Sequence, residues 1–292
     1  MTELKKKKLK VKKRKVDLVV ISDVHLGTYG CHAKELARYL KTIKPKHLIL
    51  NGDIIDIWQF SKRYWPKSHM QVVKQLSHMM SKGVKVHYVT GNHDEMLRKF
   101  VGFKMGGLEI VNKIILPLGD KKAWIFHGDV FDLTMQHAKW LTKLGAIGYD
   151  GLIIINSSVN YILEKLGRDK ISFSKKIKNS VKSAVKFINS FENTCAEIAI
   201  RDGYDYVVCG HIHQPEIRNI TTDKGEVVYL NSGDWIENLT ALEYNDNEWR
   251  IYKYREDEKA QKETELEDNS VFKDNSELFD ELLAEFNISK AK

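Results

Sequence analysis

The stretch VKVHYVTGNHDE, residues 84–95, carries a run rich in β-branched residues through Gly91 straight into Asn92, His93 and Asp94. Val84, Val86, Tyr88 and Val89 read as a short strand over 84–90. The run SHMQVVKQLSHMMSKG (68–83) before it reads as a helix. The same unit recurs upstream, where AKELARYLKTI (33–43) precedes HLILN (47–51) and VDLVVIS (16–22) opens the series. Such αβ alternation predicts parallel strands joined by right-handed crossovers. Further strands are expected at KKAWIFH (121–127), YDYVVCG (204–210), EVVYLNS (226–232), LTALEY (239–244) and EWRIYKY (248–254). Those after 225 follow one another without helices, which predicts a second, more antiparallel sheet.

Five of these strands end on side chains able to bind a metal. Asp23 and His25 follow the first strand, Asp53 and Asp56 the second, and Asn92, His93 and Asp94 the third. His127 ends the KKAWIFH run, and His211 and His213 follow YDYVVC. Each cluster alone is ordinary turn chemistry. Together they lie at the carboxyl ends of strands, the edge where open α/β sheets place their sites. Gly52, Gly91, Gly128 and Gly210 sit beside them and permit sharp turns.

Carboxylate, amide oxygen and imidazole without thiolate suit manganese, iron(II), zinc or cobalt. Magnesium fits less well, since it prefers oxygen ligands and retained water. Seven donors exceed the needs of one ion and match two. One division puts Asp23, His25 and His213 on one ion and Asn92, His127 and His211 on the other, with Asp53 bridging. Paired ions generate hydroxide from bound water and clamp an in-line displacement at phosphorus. No nucleophile elbow and no P-loop pattern competes with that chemistry. His93 then faces the phosphoryl oxygens or the leaving group, with Asp94 orienting it and keeping it protonated. Asp56 and Asp129 read as groups that fix ligand geometry, and a purely structural role fits them equally.

The 292 residues, 42% of them apolar, suffice for one large domain or two small ones. No apolar run approaches the roughly 18 residues of a spanning helix, and the basic N-terminus does not read as a signal peptide. Cys31, Cys195 and Cys209 show no paired spacing, so a cytoplasmic protein is expected. The net charge of +8 is uneven: residues 5–15 hold nine basic side chains, and residues 256–292 hold twelve acidic against five basic. The chain therefore divides into a basic flexible arm (1–15), a catalytic domain (16–255) and an acidic tail (256–292), with a helical insertion at about 131–200. Within the insertion, Phe173, Ile177, Val181, Val185 and Ile188 form one helical stripe. Lys175, Lys176, Lys178, Lys182 and Lys186 lie around the other face. That helix either packs on the domain with a wet basic side or rests on lipid headgroups.

The blocks DVH (23–25), GDIID (52–56), GNHD (91–94), HGD (127–129) and GHIH (210–213) resemble the calcineurin-like metallophosphoesterase superfamily over about residues 17–254. The resemblance implies a four-layer α/β/β/α sandwich, a dinuclear metal site at one edge, and His93 as a phosphate-contacting histidine. GDIIDIW, HGDVFD, GHIHQPEI and NSGDWIENLTALE are most similar to the UDP-2,3-diacylglucosamine diphosphatase branch of lipid A biosynthesis. That likeness implies release of UMP from a nucleotide-linked lipid at the inner face of the membrane, with the insertion covering the site. One position departs, since the best-known enzymes of that branch carry arginine where His93 stands.

The leading expectation is therefore a manganese-dependent diphosphatase (Fe2+ or Zn2+ as alternatives) on a nucleotide-linked lipid, peripheral to an anionic inner membrane. The competing one keeps the chemistry and acts on nucleic acid or small phosphodiesters, with the basic arm neutralising phosphates. A scaffold that had lost its metals would be expected to lack donors, and this chain has all seven.

Overall fold

The computed structural model describes residues 13–59, 64–131, 173–257 and Ala260, with the backbone alone over 173–186. Within these residues the strands in chain order are β1 (Arg14–Ile21), β2 (Ile43–Asn51), β3 (Lys85–Val89), β4 (Lys104–Met105), β5 (Leu108–Val111) and β6 (Lys113–Leu118). They continue as β7 (Lys121–Phe126), β8 (Tyr206–Cys209), β9 (Glu216–Thr222), β10 (Gly225–Asn231), β11 (Thr240–Asn245) and β12 (Glu248–Lys253). The helices are α1 (Ala33–Thr42), α2 (Lys67–Ser81) and α3 (Phe173–Arg201).

The strands form two sheets, seven-stranded β12-β11-β1-β2-β3-β5-β4 and five-stranded β6-β7-β8-β10-β9. At the centre of the first, β1, β2, β3 and β5 run parallel, and β11 joins the edge of β1 antiparallel. Alternation within β1 sends Leu18 and Val20 to one face and Val19 and Ile21 to the other. Leu18, Val20, Ile49 and Val89 meet Ala123, Ile125, Val208 and Leu230 of the second sheet in one buried core. On the opposite face, Val19, Ile21, Leu48 and Val86 pack with Leu36 and Leu40 of α1 and with Val72 and Met79 of α2. The result is an α/β sandwich, as expected from the sequence.

Several elements differ from the sequence-based expectation. β4, β5, β6 and β9 were not expected, and of these β6 and β9 are edge strands whose side chains alternate between exposed and half-buried. Pro117 fits in β6 because an edge strand has one side free of ladder bonds. β2 starts at Ile43, not residue 47. Pro45 is accommodated because pairing with β3 begins only at His47. The second sheet is not built from the last strands alone: β10 joins it, but β11 and β12 return to the first sheet. Asp246 and Asn247, with φ of 52° and 65°, make the two-residue turn between β11 and β12, the positive-φ pair that a tight hairpin requires.

The chain divides into two compact units, residues 1–128 with 199–292, and residues 129–198. The first holds both sheets, α1 and α2. The second contains the 3-10 turn Asp129–Phe131 and most of α3, and within it the rings of Phe131 and Phe191 stand 5.9 Å apart, edge to face. The basic arm through residue 12 and the tail beyond Ala260 lie outside the described residues. So do the side chains of Lys175, Lys176, Lys178, Lys182 and Lys186, whose backbone is helical in α3.

Candidate metal centre

Five loops at the carboxyl ends of β1, β2, β3, β7 and β8 converge within the first unit. Three sets of side chains there could each hold a cation: Asp23, His25 and His213; Asp53, His127 and His211; and His25, Asp56 and His93. His213 Nε2 lies 3.1 Å from Asp23 Oδ1, and His127 Nε2 lies 3.2 Å from Asp53 Oδ2. Asn92 Oδ1 is 3.3 Å from His127 Nε2, which places it beside the second set. The rings of His25 and His93 meet edge to face at 4.6 Å, and those of His127 and His211 at 5.2 Å.

The backbone is strained to achieve this. Asp23, His25, Asp53, His211 and His213 all have positive φ, between 52° and 67°. Each such residue costs on the order of 1–3 kcal/mol and persists only where the surroundings over-determine it. Here the loops are sewn together. The N–H groups of Val24 and His25 donate to the Asp53 carbonyl at 2.9 Å, Gly210 N–H to that of His127 at 2.9 Å, and Trp235 N–H to that of Asp23 at 3.0 Å. Glycine is required for close approach. A Cβ on Gly52 would stand 2.3 Å from His127 Nδ1, one on Gly91 2.3 Å from Asp53 Oδ1, and one on Gly210 2.6 Å from Ser22 Oγ. Of the three, only Gly52 also has positive φ, at 81°.

Hydrogen bonding fixes which ring nitrogens face the centre. His127 Nδ1 lies 2.8 Å from the Asn51 carbonyl, which can only accept, so Nδ1 carries a proton and Nε2 is the nitrogen that faces Asp53 and Asn92, where it would offer its lone pair to a cation held among them. His25 Nδ1 stands 3.4 Å from Asp56 Oδ2. His25 Nε2 is buried with no hydrogen-bond partner among the described residues, and buried Asp23 Oδ1 faces the His213 ring nitrogen at 3.1 Å without hydrogen-bond geometry. A buried polar atom left so costs roughly 1–3 kcal/mol, and both belong to the first set, so the donors fit a cation. Burial pushes the Asp23 carboxyl up, but the His213, His127 and His25 rings outweigh it and hold it well below the usual range. Burial likewise raises Asp53, and His127 pulls it below normal. Burial lowers His213, but the Asp23 carboxylate lifts it to about 9. The centre is thus built around negative charge that attracts positive charge.

Two assignments change. The carboxylate bonded to His93 is Asp56, whose Oδ2 accepts from Nδ1 at 3.0 Å, and not Asp94. Asp94 is buried and accepts from Gly91 N–H at 2.6 Å, Ile54 N–H at 3.0 Å and Tyr88 O–H at 2.6 Å, tying the β2 and β3 loops together. Asp56 also accepts from Gln59 N–H at 2.9 Å. Burial raises its carboxyl, yet the hydrogen bonds from His25 and His93 bring it far below normal. In return, burial depresses His93, but Asp56 and the neighbouring carboxylates raise it on balance. Asp129 opens the second unit and belongs to none of the three sets.

Other residues support the centre without having been singled out. Buried Asp234 accepts from the N–H groups of Ile236 and Asn238 at 2.8 and 3.1 Å, and Asn238 Nδ2 donates to the His213 carbonyl at 2.9 Å. Asn231 Nδ2 donates to the Gly210 carbonyl at 2.8 Å, and Ser22 Oγ lies 2.7 Å from Ser232 Oγ. The signal was the polar cluster NSGD (231–234) following another strand. His69 Nδ1 accepts from Gly27 N–H at 3.1 Å, holding the β1 loop against α2.

The sequence matches the family described as Calcineurin-like phosphoesterase over residues 16–215. A UDP-2,3-diacylglucosamine hydrolase of Aliivibrio fischeri (strain MJ11) is 23% identical over 254 residues, covering 81% of this chain and 98% of its own. One from Vibrio cholerae serotype O1 (strain ATCC 39315 / El Tor Inaba N16961) is 25% identical over 246 residues, covering 77% and 93%. Among solved structures, a phosphoesterase from E. coli aligns with a TM-score of 0.41 at 14% identity, covering 81% of this chain and 92% of that one. No helix among the described residues is long and apolar enough to cross a membrane. The chain belongs to the calcineurin-like phosphoesterase family, hydrolases of phosphoester bonds that use divalent metal ions.

Proposed function

We propose that this protein is a dinuclear diphosphatase that releases UMP from UDP-2,3-diacylglucosamine or a similar nucleotide-linked lipid, working peripherally at the anionic inner face of a membrane. The observation that carries this reading is the pair of donor sets, Asp23–His25–His213 and Asp53–His127–His211, each gathered by strained loops at the carboxyl ends of the strands. The substrate class is supported by the relatives, which carry that hydrolase activity in their names across most of this chain.

In this reading Asp23, His25 and His213 would hold one ion and Asn92, His127 and His211 the other, and Asp53 would be available to both. Manganese is the ion proposed, with iron(II) or zinc as substitutes, since the donors are oxygen and imidazole without thiolate. When bound, the ions supply hydroxide near neutral pH and neutralise phosphoryl charge. His25 and His127 are held by Asp56 and the Asn51 carbonyl so that each turns Nε2 inward. His93 pairs with Asp56, which with the neighbouring carboxylates raises its pKa on balance, and it remains partly open to solvent. Its Nε2–H would donate a hydrogen bond to the phosphoryl oxygens as charge develops, or a proton to the leaving phosphate.

The test is release of UMP from the diacylated nucleotide sugar by the full-length protein with manganese, followed by chromatography. UMP and the acylated sugar phosphate are expected in equal amounts. Hydrolysis of a soluble diester without any UMP release would reject the lipid substrate and leave the metal chemistry standing. The histidine at 93, where the best-known lipid A enzymes carry arginine, favours that second reading, a phosphodiesterase of smaller substrates or nucleic acid.

A further inference from the structure

We propose that the segment Glu95–Met105 is a docking surface for an anionic lipid bilayer, an inference resting on the lipid-linked substrate proposed above. The segment leaves the β3 loop immediately after Asp94 and runs as a 3-10 turn, Glu95–Phe100, into the edge strand β4. Leu97 packs on the helix-side core, but its neighbours turn outward. Met96 is 57% exposed, Phe100 56%, Phe103 48%, Met105 44% and Val101 42%. A single exposed apolar side chain is unremarkable, whereas five within ten residues form a patch of the kind that marks an interaction site.

Charge and backbone geometry select the partner. Arg98, Lys99 and Lys104 are interspersed among the apolar side chains, against Glu95 alone within the segment. Arg98 reaches the Gly91 carbonyl at 3.5 Å and Lys104 pairs with Glu109 at 3.1 Å. Aromatic and aliphatic groups mixed with basic ones suit a headgroup layer, where the apolar part enters the acyl boundary and the cations meet phosphate. β4 has two residues and one of them is Lys104, a poor template for adding a strand from a second protein. The surface is also held in place. Gly102 N–H donates to the Ile110 carbonyl at 2.9 Å and Ile110 N–H to that of Phe103 at 3.1 Å. Asp94, at its root, is bonded to the loops that carry Asp53 and Asn92. Docking here brings the metal loops to the bilayer surface, where a lipid-linked phosphate is presented.

Full-length protein is mixed with phosphatidylcholine vesicles with or without phosphatidylglycerol, and the bound fraction is read by co-sedimentation over a range of salt. Binding is expected with phosphatidylglycerol and is expected to weaken as salt rises. The double variant Phe100→Ser/Phe103→Ser is expected to lose more than about tenfold in vesicle affinity, and Lys99→Glu about fivefold or more. Both should retain the thermal midpoint and the manganese-dependent hydrolysis of bis(p-nitrophenyl) phosphate. Equal vesicle binding by wild type and the double variant would overturn the inference and point to the basic arm. Absence of wild-type binding would overturn it as well, as would a wild-type dimer that the double variant dissolves without any effect on vesicles. Patch-dependent vesicle binding without UMP release would contradict the substrate reading alone.

Discussion

His93 and Asp56 show how one contact decides a role. Asp94 is adjacent to His93 in sequence, but the backbone turn sends its carboxylate into the interior, where three donors surround it. Asp56 arrives from another loop and holds both His93 and His25. Asp56→Asn is expected to keep the shape and remove the charge, lowering kcat about 10–100-fold with little change in thermal midpoint. Asp94→Asn is expected to do the reverse, lowering stability by about 1–3 kcal/mol because buried N–H groups lose a charged acceptor. Steady-state kinetics beside thermal melts on both variants separates the two roles, and equal effects on both readouts would contradict the distinction. The convergence of Asp23, His25, Asp53, His127, His211 and His213 was legible because each follows or ends a strand that announces itself. Which carboxylate serves His93 was not, because proximity in space between the β2 and β3 loops leaves no mark in the local sequence.

Among elements, burial aided legibility without deciding it, since mostly exposed β12 was expected and β5, paired with β3, was not. β1, β2, β3, β7 and β8 carry continuous buried runs at their carboxyl ends and stand out as apolar stretches. β6 and β9 have one face to solvent, mix Lys, Arg, Asn and Pro with their apolar residues, and escape such a reading. The loops after the central strands are where packing is closest. Gly210→Ala would bring a Cβ to 2.6 Å from Ser22 Oγ and 2.7 Å from Asp23 Oδ2. The neighbours cannot yield without moving Asp23, whose Oδ2 also accepts from His211 N–H at 3.0 Å. This variant is expected to lose about 1–3 kcal/mol of stability and to bind manganese weakly, as read by urea denaturation and metal analysis. Wild-type metal content in Gly210→Ala would show that the loop relaxes freely.

For the molecule as a whole, Glu243 ties distant parts of the first unit together. Arg14 of β1 grips it with two bonds of 2.9 Å, Tyr39 of α1 donates at 2.9 Å, and Arg250 of β12 donates from Nε at 2.9 Å. Burial raises the Glu243 carboxyl, but Arg14, Arg250 and Tyr39 bring it below 4.5. A carboxyl lowered on folding contributes stability that is fully present above its unfolded value, and is lost as pH falls through the folded one. Glu243→Gln should therefore be less stable than wild type at neutral pH, with the difference shrinking in acid, as denaturant midpoints across pH would show. A gap that widened in acid would contradict this reading.

The same unit brings the five metal loops together, and everything proposed for catalysis depends on two cations sharing Asp53. Electron paramagnetic resonance of the manganese-loaded full-length protein reads that arrangement without any substrate. Wild type should give the spectrum of a spin-coupled manganese pair, and Asp53→Ala should give isolated ions or none. An uncoupled spectrum in wild type, or coupling that survives in Asp53→Ala, would contradict the shared centre.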